Sequence, residues 1–259
     1  MNYSIVVPAY NEEDKITSTL TQIVNFMRNF TESFEVLIVN DGSLDTTASK
    51  VLEYSKDNPE VVLVDNPHRG KGYAVWTGIM KAQGELIYMA DADLSAPIED
   101  IKKFSNWATE HDFDVVIGSR EGIGASRVGE PFYRHFMGRV FNYFVQIMAV
   151  PGISDSQCGF KLFTRKAAKD IFGRMLVYGA NTKDIKSTYL GAWDVEVLYL
   201  ARKLGYKIKQ IPVTWVYVKP KRFNPVSNSV KMAFDVLKIR LNGIRGKYKT
   251  ANPTSVLPE

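Results

Sequence analysis

Cysteine is almost absent from this sequence: the single one, Cys158, excludes an internal disulfide framework and a zinc site built from several cysteines. The opening residues, MNYSIVVPAY, lack the basic stretch and apolar core of a signal peptide and instead predict a strand. The most apolar later stretch, Val140–Val150, falls far short of the roughly 20 residues that a spanning helix needs. We therefore expect a cytoplasmic chain that does not cross a membrane, with peripheral contact at the cytoplasmic membrane face left open.

Several nucleotide-binding motifs are absent as well. Lys71 is followed by Gly72, and the glycine spacing before it does not fit a P-loop. The sequence GIGASR at 122–127 lacks the third glycine of a dinucleotide-binding loop. A P-loop kinase and a dinucleotide-dependent oxidoreductase are therefore disfavoured. The histidines belong to no recognisable triad or metal motif: His68, His111 and His135.

Composition fits one substantial globular domain. Hydrophobic residues make up 45% of the 259 positions, enough for a core that covers both faces of a sheet. The formal net charge of +5 suits anionic partners such as phosphates, nucleotides or an acidic membrane surface, but it selects none of them. The basic residues are dispersed, so a nucleic acid is not expected as a partner.

Short apolar runs alternate with stretches of helical periodicity. The runs predict buried parallel strands: SIVVPAY, FEVLIVND, VVLVDN, ELIYMADAD and FDVVIGSR. The stretches between them predict helices at about 14–29, 46–56, 71–82 and 98–110. Asp45 and Pro97 are start signals for two of these helices. The alternation predicts an α/β fold with a doubly wound, mostly parallel sheet and helices on both of its faces.

We expect this domain to occupy residues 1–215, followed by an amphipathic, basic helical extension at 216–249 and a flexible tail at 250–259. Within the extension, Val230–Lys249 has apolar positions at helical spacing among lysines and arginines, as expected of an interfacial helix. A helix that covers the sheet would show the same pattern. Membrane contact at this extension and at Arg134–Val150 is therefore a hypothesis.

Polar clusters follow the predicted strands directly. They are Tyr10-Asn11-Glu12, Asp41-Gly42-Ser43, Asp65-Asn66, Asp91-Ala92-Asp93 and Ser119-Arg120. In open α/β sheets, ligands bind outside the carboxyl ends of the strands. Most of these clusters carry carboxylates, whose mutual repulsion calls for a cation or hydrogen-bond donors between them. The sequence therefore predicts one polar site at this edge of the sheet.

Two of the clusters and the loop after the third predicted strand suggest specific ligands. The carboxylates of Asp91 and Asp93 are spaced to reach one hard cation, Mg²⁺ or Mn²⁺, although a turn or helix cap is the simpler interpretation of each alone. Asp41 suits a nucleobase or a ribose, or merely an Asp-Gly turn. The RGKG loop that contains Lys71 suits a diphosphate, or is only a flexible basic loop.

Further along the chain, a basic series accompanies an aromatic and apolar segment: Arg120, Arg127, Arg134 and Arg139. Guanidinium groups suit phosphate, and the mixture indicates either a phosphate-plus-lipid surface or an amphipathic helix packed on the domain. Asp194 and Glu196, in WDVE, are either catalytic bases or charges at a helix N-terminus. Cys158 shows no sign of activation, and packing is its expected role.

Taken in order, PAYNEE, the turn at 41–43, RGKG, DAD, GSR, QCGFK and WDVE resemble family 2 glycosyltransferases of the GT-A fold over about four-fifths of the chain. The stretch RVFNYFVQIMAVPGISDSQCGFKLF resembles the polyprenyl-phosphate sugar transferases, in particular dolichyl-phosphate β-glucosyltransferases and, less closely, mannosyltransferases. The resemblance implies a nucleotide-sugar donor, an inverting transfer, a divalent metal at Asp91 and Asp93, and a lipid phosphate acceptor. UDP-glucose is the expected donor and GDP-mannose the alternative.

The resemblance also implies roles for single residues. Matched motifs imply that Pro8, Tyr10 and Glu12 line the nucleotide site and that Asp41 contacts the base. Arg120 and Arg134 match arginines near the phosphates. Some relatives carry a membrane anchor or spanning helices that this sequence does not show, so we expect access to the acceptor through surface association or a partner protein. The segment at 176–189 matches no family pattern.

The acceptor decides which catalytic group is needed. A phosphate monoester, with a second pKa near about 6, is largely dianionic at neutral pH and needs positioning rather than a strong base. A sugar hydroxyl needs a general base, for which Asp194 is the first candidate and Glu196 the second. Two rival interpretations are a sugar nucleotidyltransferase, which the sequence at 8–12 disfavours, and a non-catalytic, membrane-surface nucleotide-binding module.

Overall fold

The computed structural model describes residues 1–185, 189, 191–218 and 225–249, and the structural statements below concern those residues. The strands are β1 Tyr3–Ala9, β2 Phe34–Asp41, β3 Val61–Asn66, β4 Leu86–Met89, β5 Val115–Ser119, β6 Ser126–Val128, β7 Lys161–Thr164, β8 Ile208–Pro212 and β9 Thr214–Val216. The helices are α1 Ile16–Phe30, α2 Thr47–Ser55, α3 Lys71–Lys81, α4 Ile101–Thr109, α5 Phe132–Met148, α6 Arg165–Gly173, α7 Trp193–Lys203 and α8 Pro225–Ile244. Short 3₁₀ turns lie at Ile98–Asp100 and Lys247–Lys249.

Seven strands form one sheet in the order β3-β2-β1-β4-β7-β5-β8. Its pairs are parallel except at β7, which runs antiparallel to both β4 and β5. A small parallel pair, β6 and β9, lies beside it. The α/β prediction and its five parallel strands are confirmed, whereas β7 and its antiparallel insertion were not predicted.

Each face of the sheet carries its own hydrophobic core, because successive side chains of a strand point to opposite faces. In β1, Val6 packs with α3, α6 and α7, whereas Ile5 and Val7 pack with α1 and α4. This double burial explains why the strands are apolar nearly throughout. β3 departs from the prediction of a buried strand, because it lies at the edge of the sheet and leaves Val62 42% exposed.

The predicted helices and their start signals are confirmed, with boundaries within two residues when the 3₁₀ turn at Ile98–Asp100 is counted with α4. The Thr47 amide donates to Asp45 Oδ1 at 2.9 Å, so Asp45 caps α2 as expected. Pro97 directly precedes the 3₁₀ turn that leads into α4. Because the first residue of α3 is Lys71, the RGKG loop opens directly into a helix at the carboxyl edge of the sheet.

Helix α8, in the predicted extension, packs against α5 and α7. Its residues Met232, Val236 and Ile239 are buried in the same core as α7. The predicted division after residue 215 falls within β9, and the predicted tail at 250–259 lies outside the described residues. Among the helices of the described chain, none has the length and apolar character needed to span a bilayer.

Candidate active site

The predicted metal ligands lie just beyond β4, at the carboxyl edge of the sheet. Lys71 donates from Nζ to Asp91 Oδ1 at 2.5 Å. Burial alone lowers the pKa of Lys71, but the charge of Asp91 and the hydrogen bond to it outweigh burial, and the net pKa is raised. Lys71 is therefore held as a cation beside this carboxylate.

Gly159, in the QCGFK motif, makes room for Asp91. A Cβ atom built on Gly159 lies only 2.0 Å from Asp91 Oδ2, and no side chain fits there unless the carboxylate moves. The glycine thus sets the position of Asp91, a relationship that the sequence analysis did not find. The QCGFK motif was the sequence signal for this contact, but no role was predicted for its glycine.

The second carboxylate, Asp93, is oriented by its own loop. Its Oδ1 accepts from the Ser95 amide at 3.0 Å and from the Ser95 hydroxyl. Within the described part of the chain, no cluster of three or more metal-ligating side chains occurs. Two carboxylates fit Mg²⁺ or Mn²⁺ in a site where phosphate oxygens and water supply the other ligands. Asp91 and Asp93 therefore suit a metal that binds together with a nucleotide.

Asp194, the first candidate base, lies in the first turn of α7 and is paired with a buried lysine. Lys161 is fully buried and donates from Nζ to Asp194 Oδ1 at 2.6 Å and to the Cys158 carbonyl. Burial raises the pKa of Asp194, and Lys161 offsets that rise only in part. Lys161 is the second residue of QCGFK whose role the sequence analysis missed.

Glu196, the second candidate base, holds the polypeptide together. Its carboxylate accepts from the backbone amides of Leu176, Val177 and Tyr178 and from the Tyr248 hydroxyl. It is fully buried and does not line the cavity described below. Glu196 therefore anchors the segment that matched no family pattern.

The predicted nucleobase partner, Asp41, is buried at the end of β2. Its Oδ1 accepts from the amides of Arg69 and Gly70 at 2.8 and 3.0 Å, and its Oδ2 accepts from His68 Nδ1 at 2.8 Å. Burial raises the pKa of Asp41 more than these hydrogen bonds lower it. Tyr10 stacks on the His68 ring at 4.2 Å between centroids, with 8° between the planes.

The other predicted nucleotide-site residues belong to the same edge. Pro8 lies in β1 opposite Val39 of β2. The Glu12 amide donates to Thr47 Oγ1 at 2.8 Å, which ties the loop after β1 to the start of α2. The structure therefore brings Pro8, Tyr10, Glu12 and Asp41 to adjacent strand ends, as the sequence analysis expected.

A cavity of about 190 Å³ joins this edge to helices α5 and α8. Lys71, Trp193 and Asp194 line one part of it, and Met137 and Met232 line another. All four arginines of the basic series also line the cavity: Arg120, Arg127, Arg134 and Arg139. The cavity thus combines Lys71 and Asp194 with guanidinium groups and apolar side chains in one space.

The arginines of the series have carboxylate partners that were not predicted. Arg120 forms a bidentate pair with Asp155 at 2.7 and 2.9 Å, and this pairing overcomes burial and lowers the pKa of Asp155 to about 2. Arg127 contacts Glu121 and Glu130 at 2.7 and 2.6 Å. The cavity wall is therefore a network of alternating charges.

Arg134 and Arg139 face carboxylates of the same network. The Arg134 guanidinium lies 5.1 Å from the centre of the Tyr217 ring and 3.9 Å from Glu130. Arg139 lies 3.5 Å from Glu121. Arg134 and Arg139 therefore belong to the same charged wall as Arg120.

Comparison with known proteins defines the class. Residues 4–172 match the family described as Glycosyl transferase family 2. The chain belongs to this family; it is a glycosyltransferase, and its fold is the expected GT-A fold.

Relatives that are 29–35% identical to this chain share the description dolichyl-phosphate beta-glucosyltransferase. The dolichyl-phosphate beta-glucosyltransferase of Dictyostelium discoideum is 34% identical over 259 residues, which cover 95% of this chain and 76% of the relative. The protein of the same description from Homo sapiens is 31% identical over 262 residues, covering 95% and 77%. The resemblance stated from the motifs is therefore confirmed.

Solved structures resemble the chain in fold. Mannosyl-3-phosphoglycerate synthase from Rubrobacter xylanophilus superimposes with a TM-score of 0.65 at 16% identity, covering 100% of this chain and 79% of its own. Glucosyl-3-phosphoglycerate synthase from Mycobacterium tuberculosis, in complex with Mn²⁺, UDP-glucose and phosphoglyceric acid, gives 0.60 at 16% identity, covering 95% and 80%.

Proposed function

We propose that this glycosyltransferase transfers glucose from UDP-glucose to a polyprenyl or dolichyl phosphate, with inversion at the sugar C1. The observation that carries the proposal is the cavity in which Lys71 and Asp194 meet arginines and apolar side chains from α5 and α8. A phosphate joined to a long hydrocarbon is the acceptor that such a lining suits. The names of the relatives, dolichyl-phosphate beta-glucosyltransferases, support the same acceptor and sugar.

The donor occupies the carboxyl edge of the sheet in this proposal. Pro8, Tyr10, Glu12 and Asp41 bind the nucleoside, and Lys71 approaches the diphosphate. Asp91 and Asp93 hold Mg²⁺ or Mn²⁺, which when bound neutralises charge on the diphosphate. The fold neighbour crystallised with Mn²⁺ and UDP-glucose supports a divalent metal and this donor.

The acceptor phosphate is positioned by Arg120 and Arg134. One of its oxygens forms the new bond to the sugar C1 while the bond from C1 to the diphosphate oxygen breaks, and the electron pair leaves with UDP. Because the phosphate is largely dianionic at neutral pH, no proton needs to be removed from it. Asp194, paired with Lys161, then orients groups in the cavity rather than acting as a base.

We further propose that the protein contacts the cytoplasmic face of a membrane through the outer faces of α5 and of α8, the helix of the proposed extension at 216–249. Exposed apolar side chains recur at helical spacing on both helices: Phe132, Phe136, Val140, Tyr143 and Ile147 on α5, and Val230, Phe234, Leu241 and Ile244 on α8. The two helices pack together, and their inner faces line the cavity. A headgroup in the cavity would therefore lie beside the surface on which its lipid chain rests.

Charged substitutions on this surface are expected to weaken vesicle binding strongly. Phe136 and Phe234 are 59% and 67% exposed, so Phe136→Glu with Phe234→Glu leaves the core intact and adds two charges to the apolar faces. In sedimentation with anionic vesicles, binding should fall at least about tenfold. Leu52→Glu, at a 54% exposed site on α2, is the matched control and should bind normally. Absence of wild-type binding at any salt concentration would contradict the membrane proposal.

The reaction is tested by incubating the protein with UDP-glucose or GDP-mannose, with Mg²⁺ or Mn²⁺, in the presence or absence of a polyprenyl phosphate. We expect glucose transfer that needs both the metal and the lipid phosphate. Mannose transfer from GDP-mannose would replace the proposed donor, and transfer to a sugar hydroxyl would replace the acceptor. Binding of a metal-nucleotide complex with no turnover on any acceptor would contradict the proposed reaction.

A further inference from the structure

The His68 ring makes two contacts that are expected of a flat ligand with a hydrogen-bond donor. It stacks almost parallel on Tyr10, 4.2 Å away, and its Nδ1 lies 2.8 Å from Asp41 Oδ2 and 3.0 Å from the Asp41 carbonyl oxygen. Both oxygens are acceptors, so Nδ1 carries the proton and donates it. His68 has no role in the function proposed above.

A nucleobase would need the same two contacts. Uracil offers a flat face and the N3–H donor, and guanine offers a flat face and the N1–H donor. An aromatic ring for stacking and a carboxylate that accepts an N–H are the groups that recognise such a base. In this chain those groups, Tyr10 and Asp41, are engaged by the side chain of His68.

We propose that His68 occupies the nucleobase subsite of the ligand-free protein and that the base of the donor displaces it. This inference rests on the proposed nucleotide-sugar donor. His68 is then an internal competitor for the base, and it lowers the apparent affinity for the nucleotide.

The surroundings of His68 indicate that its side chain is a displaceable occupant of the subsite and not part of a fixed wall. Its Nε2 atom is buried and, within the described part of the chain, has no hydrogen-bond partner. A base therefore cannot reach Nε2 in this arrangement, and the ring gives up no hydrogen bond at Nε2 when it moves. A wall residue would instead present this atom to the ligand.

The backbone next to His68 is held in place, so the exchange needs only side-chain rotation. The amides of Arg69 and Gly70 donate to Asp41 Oδ1, and the Ile185 amide donates to the His68 carbonyl at 2.9 Å. Gly42 lets the loop approach this closely, since a Cβ atom at Gly42 would lie 2.9 Å from the backbone nitrogen of His68. Asp41 therefore keeps its backbone hydrogen bonds whether the imidazole or a base is present.

Competition by His68 has a definite sign for binding. A nucleotide binds only the fraction of molecules whose subsite is open, so its apparent affinity is reduced by that fraction. Return of the imidazole also favours departure of the nucleoside diphosphate after transfer, a step that often limits turnover.

The test is calorimetry of UDP binding, in the presence of Mn²⁺, to the full chain and to His68→Ala. Loss of one stacked ring and one hydrogen bond from the competitor should tighten UDP binding about three- to tenfold. Pyrophosphate, which has no base, should bind both proteins equally. His111→Ala, which removes a ring that lies tilted against Trp107 with 4.4 Å between the ring centroids, is the matched control and should bind UDP like the wild type.

A second measurement follows the ring itself by NMR. The chain has three histidines, so the imidazole signals can be assigned with single variants. Those of His68 should lie upfield because of the Tyr10 ring and move downfield as UDP is added. Equal or weaker UDP binding by His68→Ala, or His68 signals that do not respond to UDP, would overturn the inference while leaving the donor proposal intact. Failure of both proteins to bind UDP and GDP would instead overturn the donor proposal, and the inference with it.

Discussion

Replacing Asp93 with asparagine is expected to lower kcat at least about a thousandfold, because a ligand that loses its charge binds a divalent metal weakly. The amide keeps the shape of the side chain and an oxygen for the Ser95 hydrogen bonds, so the fold should persist. The measurement is transfer rate as a function of Mn²⁺ concentration, together with UDP binding at each concentration. UDP binding should lose most of its dependence on Mn²⁺.

Two further variants separate this effect from a general loss of acidic charge. Asp65→Asn removes a carboxylate near the end of β3 that accepts from Asn40, and it should retain most of the activity. Gly159→Ala retains both metal-ligand carboxylates but places a methyl carbon 2.0 Å from the present position of Asp91 Oδ2, so the Asp91 carboxylate must move. It should therefore reduce the rate much as Asp91→Asn does, with little loss of stability. A wild-type rate for Asp93→Asn would remove this residue from the proposed metal site.

Lys161→Met is expected to destabilise the fold by about 3–5 kcal/mol, since it leaves the Asp194 carboxylate buried without its cation. The side chain of Lys161 is wholly buried, so solvent cannot replace the lost hydrogen bond. The free energy of unfolding, from chemical denaturation, measures the effect. Lys166→Met, at an exposed position on α6, should change it by less than about 0.5 kcal/mol.

The pH dependence of this loss has a predictable sign. Burial raises the pKa of Asp194, and Lys161 opposes that rise. Without Lys161 the pKa rises further, so Asp194 takes up a proton more readily as the pH falls. The deficit should be largest at about pH 8 and smaller at about pH 5. Adding Asp194→Asn to Lys161→Met should recover at least about 1 kcal/mol; a deficit independent of pH and of this second change would exclude the buried-charge explanation.

The sequence predicted those parts of the fold that depend on local patterns. Four of the five predicted strands lie inside the sheet and are apolar on both faces, so their runs are distinctive. β7, the four residues KLFT, pairs with β4 and β5, and nothing local encodes that choice. β3 has a similar apolar sequence, but its place at the edge depends on how many strands follow β2 in space.

The same division applies to the site. Asp91, Asp93 and Asp41 could be proposed as site residues because each lies at or just beyond the end of a strand, and strand ends define the binding edge of such folds. Gly159 and Lys161 act through Asp91 and Asp194, and those contacts exist only after folding. Likewise, the carboxylates beside the arginines were invisible as partners, because a series of basic residues does not reveal which acids come to face it.

The insertion of β7 has a consequence for how the chain acquires its structure. β4 and β5 both precede β7 in the sequence, yet they do not pair with each other and meet only through β7. Until the polypeptide has been synthesised through Thr164, two apolar strands have open edges, which are sites for wrong pairing with other chains. While the ribosome synthesises the residues between β5 and β7, which include all of α5, these edges stay open. During that interval the nascent chain avoids aggregation only through chaperones or through rapid synthesis and folding.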